Sequence, residues 1–224
     1  MTTRAMYSEH DTEPVKGLPG MLPPGEQLLW QGAPEWRSLA LYAYHVRSLS
    51  LYFALMVLAR GLYLLSNGAS LGESMFGMLG PAAFAAIALA IMTGIAVLSA
   101  RSTVYSITSK RVVIRQGIAL DSTINLPFAV VESAAVKVRA DGSGDVALTL
   151  IKPNRVSYIW LWPHVRPWRI GQPQPALRAL GDARAVGELL GKAFSAAVPA
   201  TTPRGLTVPP SNATAAQPSA GALA

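Results

Sequence analysis

The sequence predicts a membrane α+β protein: a two-helix transmembrane hairpin, then an antiparallel β-domain closed by a C-terminal amphipathic helix. Three observations carry this expectation. Residues 48–100 hold only two charged side chains, Arg60 and Glu73, although the 224-residue chain has 19 Lys and Arg and 12 Asp and Glu. Past Arg101 the apolar pattern changes to the two-residue alternation of strands. Residues 182–195 then return to a helical period with one apolar face.

Composition points the same way. Charged residues make up 14% and apolar residues 51% of the chain, against about 25% charge in ordinary soluble domains. With no cysteine there is no disulfide framework, thiolate nucleophile or Cys-ligated metal. The first 17 residues, MTTRAMYSEHDTEPVKG, lack the apolar run of a signal peptide, so insertion is expected to depend on the internal segments.

The first segment, residues 48–65 (SLSLYFALMVLARGLYLL), would rise about 27 Å as a helix, close to the roughly 30 Å hydrocarbon core. The second, 77–100 (GMLGPAAFAAIALAIMTGIAVLSA), is charge-free, and its one proline, Pro81, falls in the first turns, where a missing N–H costs little. The connection 66–76 is too short to hold a domain. Arg37 and Arg47 precede the hairpin and Arg101, Lys110, Arg111 and Arg115 follow it, while the connection carries only Glu73. That asymmetry predicts cytoplasmic N and C termini and a bacterial inner-membrane location.

Within the hairpin, Arg60 either snorkels to the outer headgroups or makes an interhelical or partner contact. Ala82, Ala86, Ala90 and Gly94 recur at every fourth position. Such a stripe packs a hairpin against itself or lets a homodimer or another partner approach closely. Neither helix contains His, which argues against haem or chlorin ligation, and one intramembrane charge makes a poor transport path.

The β-domain, 101–195, offers six candidate strands: 104–108, 111–115, 123–128, 131–138, 146–151 and 156–162. Turns are expected at Ser109-Lys110, at Gln116-Gly117 and at Asp141-Gly-Ser-Gly-Asp145; the last lacks the further oxygen ligands and closing Glu of a calcium loop. Asp182 should cap the terminal helix. Residues 196–224, rich in Pro and Ala, and roughly the first 20 of the N-terminal segment 1–47 are expected to be disordered.

From Arg101 onward 14 Lys and Arg face 6 Asp and Glu. Such a domain suits anionic inner-membrane lipids at about 1 kcal/mol per well-placed cation. No recognition helix, zinc finger or aromatic RNA platform points to nucleic acid. Tyr158 to Arg169 interleaves Trp160, Trp162 and Trp168 with His164, Arg166 and Arg169. Trp and Arg are what protein and membrane interfaces both enrich; alternatively Trp160 and Trp162 form one face of a final strand, with Trp168 beneath a loop. No metal site, cofactor site or catalytic constellation is readable, so a non-enzyme is expected.

Leu22-Pro-Pro-Gly-Glu-Gln-Leu-Leu-Trp-Gln-Gly-Ala-Pro34, a hairpin, and Val104-Tyr-Ser-Ile-Thr-Ser-Lys-Arg-Val-Val-Ile-Arg-Gln-Gly117 together resemble the bacterial pleckstrin-homology-like (PH-like) membrane proteins. More narrowly, 8–34, 118–128, 141–145 and 162–178 resemble the photosynthetic-complex assembly proteins of purple bacteria, over about 8–195. The resemblance implies a curved PH-like sheet closed by a helix, and a non-enzymatic role in assembling the reaction centre with its core light-harvesting subunits in the intracytoplasmic (chromatophore) membrane. A lipid-binding or regulatory PH-like membrane module is the alternative.

Overall fold

The computed structural model describes residues 17, 18, 20–118, 120–154 and 156–197 and the backbone of Gly205–Thr207. The elements run β1 (Leu28–Gly32), α1 (Trp36–Tyr42), α2 (Val46–Ser66), α3 (Leu71–Ser102), then β2 (Val104–Thr108), β3 (Arg111–Gln116), β4 (Ser122–Pro127), β5 (Val131–Val138) and β6 (Gly144–Leu150). After these come α4 (Tyr158–Leu161), β7 (Ala176–Leu180), α5 (Ala183–Ala197) and β8 (Gly205–Thr207).

Helices α2 and α3 are both long and apolar enough to cross a membrane, and their most apolar windows are only 6% and 17% buried. They pack closely where side chains are small. A β-carbon added at Gly61 would meet the Met78 sulfur at 2.5 Å, and one at Gly77 would meet Leu64 at the same distance. The connection is shorter than expected because α3 begins at Leu71. Glu73, whose charge excluded it from the apolar run, closes a capping box: its backbone N–H donates to Ser70 Oγ, and its carboxylate accepts from the Ser70 N–H at 2.8 Å. Pro81 consequently lies inside α3 rather than in its first turns, and leaves the Gly77 carbonyl without its usual helical donor. At 32 residues, α3 is about 48 Å long, well beyond a hydrocarbon core of about 30 Å. Its last turns continue into the β-domain, where Ala96 and Ala100 pack on Leu39 and Ala40 of α1.

The β-domain has two four-stranded sheets, in the orders β1-β2-β3-β4 and β7-β6-β5-β8. All pairs are antiparallel except β5 with β8. The alternation in β2 and β3 sends Tyr105, Ile107, Val112 and Ile114 into a core shared with Val146, Leu148 and Leu177. Helix α5 lays Val186, Leu190 and Phe194 over this core; Phe194 meets Phe128 edge to face at 5.6 Å. Asp182 accepts the Ala185 N–H at 2.9 Å, in accord with its expected capping role.

Three strands escaped the sequence reading, β1, β7 and the short β8, and one expected strand is absent. Strand β1 joins the first sheet beside β2, anchored by Glu26, whose carboxylate takes Arg111 Nε at 2.7 Å, Arg111 Nη2 at 3.0 Å and the Thr108 hydroxyl at 2.6 Å. Burial pushes the Glu26 carboxyl up, but those hydrogen bonds and the Arg111 charge outweigh it and hold the group below its ordinary value. Strand β7 replaces the expected strand 156–162. That stretch is instead the one-turn helix α4, ending before Pro163 and followed by Pro167, Pro173 and Pro175, none of which can donate to a ladder.

The Asp141–Asp145 stretch is a turn: Asp141 Oδ1 accepts from the Ser143 N–H and hydroxyl, and Gly142 has φ +80°. Most of the stretches expected to be disordered, the first 20 residues and 196–224, lie outside the described residues; of those described, Leu18 is buried, residues 196 and 197 end helix α5 as ordered helix, and Gly205–Thr207 forms a short strand. There the backbone pairs in parallel with the edge of β5.

Candidate functional site at the foot of the hairpin

The excursion between β6 and β7 sorts its side chains opposite to the strand reading. Leu161, Pro163, His164 and Val165 are buried, whereas Trp160, Trp162 and Arg166 are exposed. Ile159 is 87% and Trp168 91% exposed, so Trp168 does not pack beneath a loop. Trp160 is held by both its polar groups: Nε1 donates to Ser122 Oγ at 2.8 Å, and its carbonyl accepts Gln116 Nε2 at 2.7 Å. Trp162 stands edge-on to Tyr44 at 5.1 Å. With Ile118 and Leu120 of the β3–β4 turn, these rings line an open cavity of about 310 Å³ whose far wall is Ile95 and Ser99 of α3. A largely apolar rim therefore flanks the foot of α3.

Beneath the rim lies a buried polar junction. The Thr103 hydroxyl donates to the Ser99 carbonyl at 2.7 Å, so its oxygen accepts from His164 Nε2 at 3.0 Å. That assigns the proton to Nε2 and leaves Nδ1 to accept from the Tyr105 hydroxyl at 2.6 Å. The Arg178 N–H in turn donates to the Tyr105 oxygen at 3.1 Å. Burial, with a smaller contribution from the Arg178 charge, lowers the His164 pKa to about 3, so the ring is neutral at physiological pH. Burial likewise raises the Tyr105 pKa. Arg178 reaches the carbonyls of Tyr42, Pro163 and Val165 and faces Asp145. One guanidinium thus joins α1, the excursion and the second sheet.

Of the expected site residues, Trp160 and Trp162 come together in the rim, and Arg166 lies on the same excursion, donating to Gln174 Oε1 at 3.1 Å. Trp168 and Arg169 project from its exposed end. The stripe Ala82, Ala86, Ala90 and Gly94 is exposed and does not pack the hairpin against itself; Ala85 is the buried residue on that stretch. Helix α2 supplies larger side chains to α3, and Phe53 meets Phe84 at 6.5 Å. Arg60 is exposed, its guanidinium 5.8 Å from the Tyr63 ring one turn on.

Comparison with known proteins settles the family. A model described as "Bacterial PH domain" matches residues 53–194, from the first half of α2 to the last turn of α5. The chain belongs to the bacterial PH domain family. The family match thus takes in most of the hairpin as well as strands β2 to β7, which fits the continuity of α3 with the β-domain. A 23.7 kDa protein of Rhodobacter capsulatus, encoded in the puhA 5′ region, is 37% identical over 193 residues, covering 84% of this chain and 90% of that protein. No solved structure matches the chain significantly.

The sequence reading missed the His164–Tyr105–Arg178 junction. Its members are 14 to 73 residues apart, and the available signal was a charged residue in an otherwise apolar pentad, Ala176–Leu180, bounded by Pro175 and Gly181.

Proposed function

We propose that this protein is a non-enzymatic membrane assembly factor of the PuhB type, serving the photosynthetic reaction centre and its core light-harvesting complex. The observation that carries the proposal is the 37% identical relative encoded beside puhA, a photosynthesis gene. The exposure of α2 and α3 supports the membrane part, because the core helix of a soluble protein would be mostly buried. In this reading both helices span the inner, intracytoplasmic membrane with both termini cytoplasmic, as the positions of Lys and Arg favour.

The rim of Ile118, Leu120, Ile159, Trp160 and Trp162 would then sit at the headgroup level, where tryptophan is favoured. Client helices would dock against the exposed small-residue face of α3, with the aromatic rim as anchor. A few aromatic and arginine contacts of modest area suit a reversible hold on reaction-centre and light-harvesting subunits. Self-association through the same face is the competing use of it.

The test is replacement of Trp160 and Trp162 by alanine in a purple bacterium lacking its own copy. Reaction-centre yield should fall while the variant's membrane level stays unchanged. Unaltered yield at normal level would reject the proposed role of the rim, and normal yield in the complete absence of the protein would reject assembly altogether.

A further inference from the structure

We propose that a second cavity, on the outer face of the β7-β6-β5 sheet, binds a phosphate-bearing anion. The cavity encloses about 670 Å³ and is lined by Tyr42, His45, Lys137, Arg139, Arg166 and Arg178, among others. This inference does not depend on the assembly role.

Charge is the reason. Among the described residues four Lys and Arg side chains line the cavity, and Asp145 is the one carboxylate. That carboxylate is already committed: Oδ1 accepts the Ala179 N–H at 2.9 Å and lies 3.6 Å from Arg178 Nε, while Oδ2 holds Arg139 Nη2. Two side chains about nine-tenths buried, Arg139 and Arg178, therefore share a single negative charge. Among the described residues Arg139 Nη1 and Arg178 Nε are buried without a hydrogen-bond partner. Buried donors and buried excess charge are both costly, and an anion with several acceptor oxygens relieves both at once.

Geometry favours phosphate. The Arg139 guanidinium is held 4.1 Å from the Tyr42 ring, and Lys137 and Arg166 approach the cavity from a strand and from the excursion. Cations on separate elements suit a tetrahedral group presenting oxygens in several directions, and the volume is that of an ordinary small-molecule site, about 300–1,000 Å³. Tyr42 and His45 directly precede α2, so the cavity lies at the foot of the hairpin. A lipid headgroup and a free phosphate ester are the two sources of such an anion.

The experiment uses the full chain in neutral detergent, titrated with dioctanoyl-phosphatidylglycerol, with dioctanoyl-phosphatidylcholine and with inorganic phosphate, with bound species read by native mass spectrometry and calorimetry. The variant is Lys137→Gln with Arg166→Gln, both on exposed side chains; Arg184→Gln with Lys192→Gln on α5 is a control with equal loss of charge. Binding of phosphatidylglycerol that falls roughly tenfold in the cavity variant but not in the control supports a headgroup site. The same pattern with inorganic phosphate and no preference for the lipid supports a site for soluble phosphate. No binding of either anion, or equal binding by the cavity and control variants, overturns the proposal.

Discussion

The Tyr105 hydroxyl donates to His164 Nδ1 across 2.6 Å, tying the first strand after the hairpin to the tryptophan-bearing excursion. Because the other ring nitrogen reaches Thr103, at the end of α3, the imidazole couples the tilt of that helix to the position of the aromatic rim. Burial keeps the ring neutral, so that one nitrogen donates to Thr103 while the other accepts from the Tyr105 hydroxyl, which also lies 3.3 Å from the Arg178 carbonyl.

Acid should undo this junction. His164 has a folded-state pKa of about 3, against 6.5 ordinarily. Between those values the unfolded chain takes up a proton that the folded one refuses, so stability is complete above about pH 6.5 and falls as pH is lowered. Thermal unfolding of the wild type and His164→Gln in detergent at pH 7.5, 6 and 5 checks this. The wild type should lose stability steadily over the range and the variant, though less stable at pH 7.5, should lose less. Parallel curves would mean that His164 is not the acid-sensitive group.

Arg178 should resist even conservative change. A lysine keeps the charge but not the fork that reaches the Tyr42, Pro163 and Val165 carbonyls together. Arg178→Lys is expected to cost about 3 kcal/mol, in the range for breaking a buried ionic network, seen as a lower midpoint in thermal unfolding. A loss below about 1 kcal/mol would place the residue among ordinary surface pairs.

Gly144 is required by packing. A β-carbon there would come 2.1 Å from the Lys137 carbonyl oxygen and 2.6 Å from Ala183, where α5 begins. Backbone cannot retreat as a flexible side chain can, so Gly144→Ala should destabilise by about 2 kcal/mol. Gly94→Ala, whose new methyl meets nothing within 4 Å, should leave stability within about 0.5 kcal/mol of wild type or raise it slightly. Parallel unfolding curves of the two variants give the comparison.

What could be read in advance was what depends on local pattern. The hairpin, strands β2 to β6 and the terminal helix each announce themselves within about ten residues, by an uncharged run, a two-residue alternation or a capped apolar face. Strand β7 does not, because Arg178 at its centre reads as exposed until Asp145 and three distant carbonyls are brought to it. The alternation of Trp160 and Trp162 misled for the converse reason: Leu161 between them is the buried residue, and the tryptophans face outward. The rim was legible as composition, but not its position beside Ile95 and Ser99, which is set by the long-range packing of α3 on the excursion. The cationic cavity was equally invisible, its arginines lying on three separate elements.

The central claim is that the hairpin crosses the bilayer with the β-domain inside the cell. The sequence contains no cysteine, so single-cysteine variants are clean reporters. Asn67→Cys lies in the connection between α2 and α3, and Asn154→Cys on the exposed turn after β6. With a membrane-impermeant maleimide on intact spheroplasts, Asn67→Cys should be labelled at once and Asn154→Cys only after permeabilisation. Labelling of Asn154→Cys from outside, or equal labelling of both before permeabilisation, would contradict the membrane arrangement on which the proposed function stands.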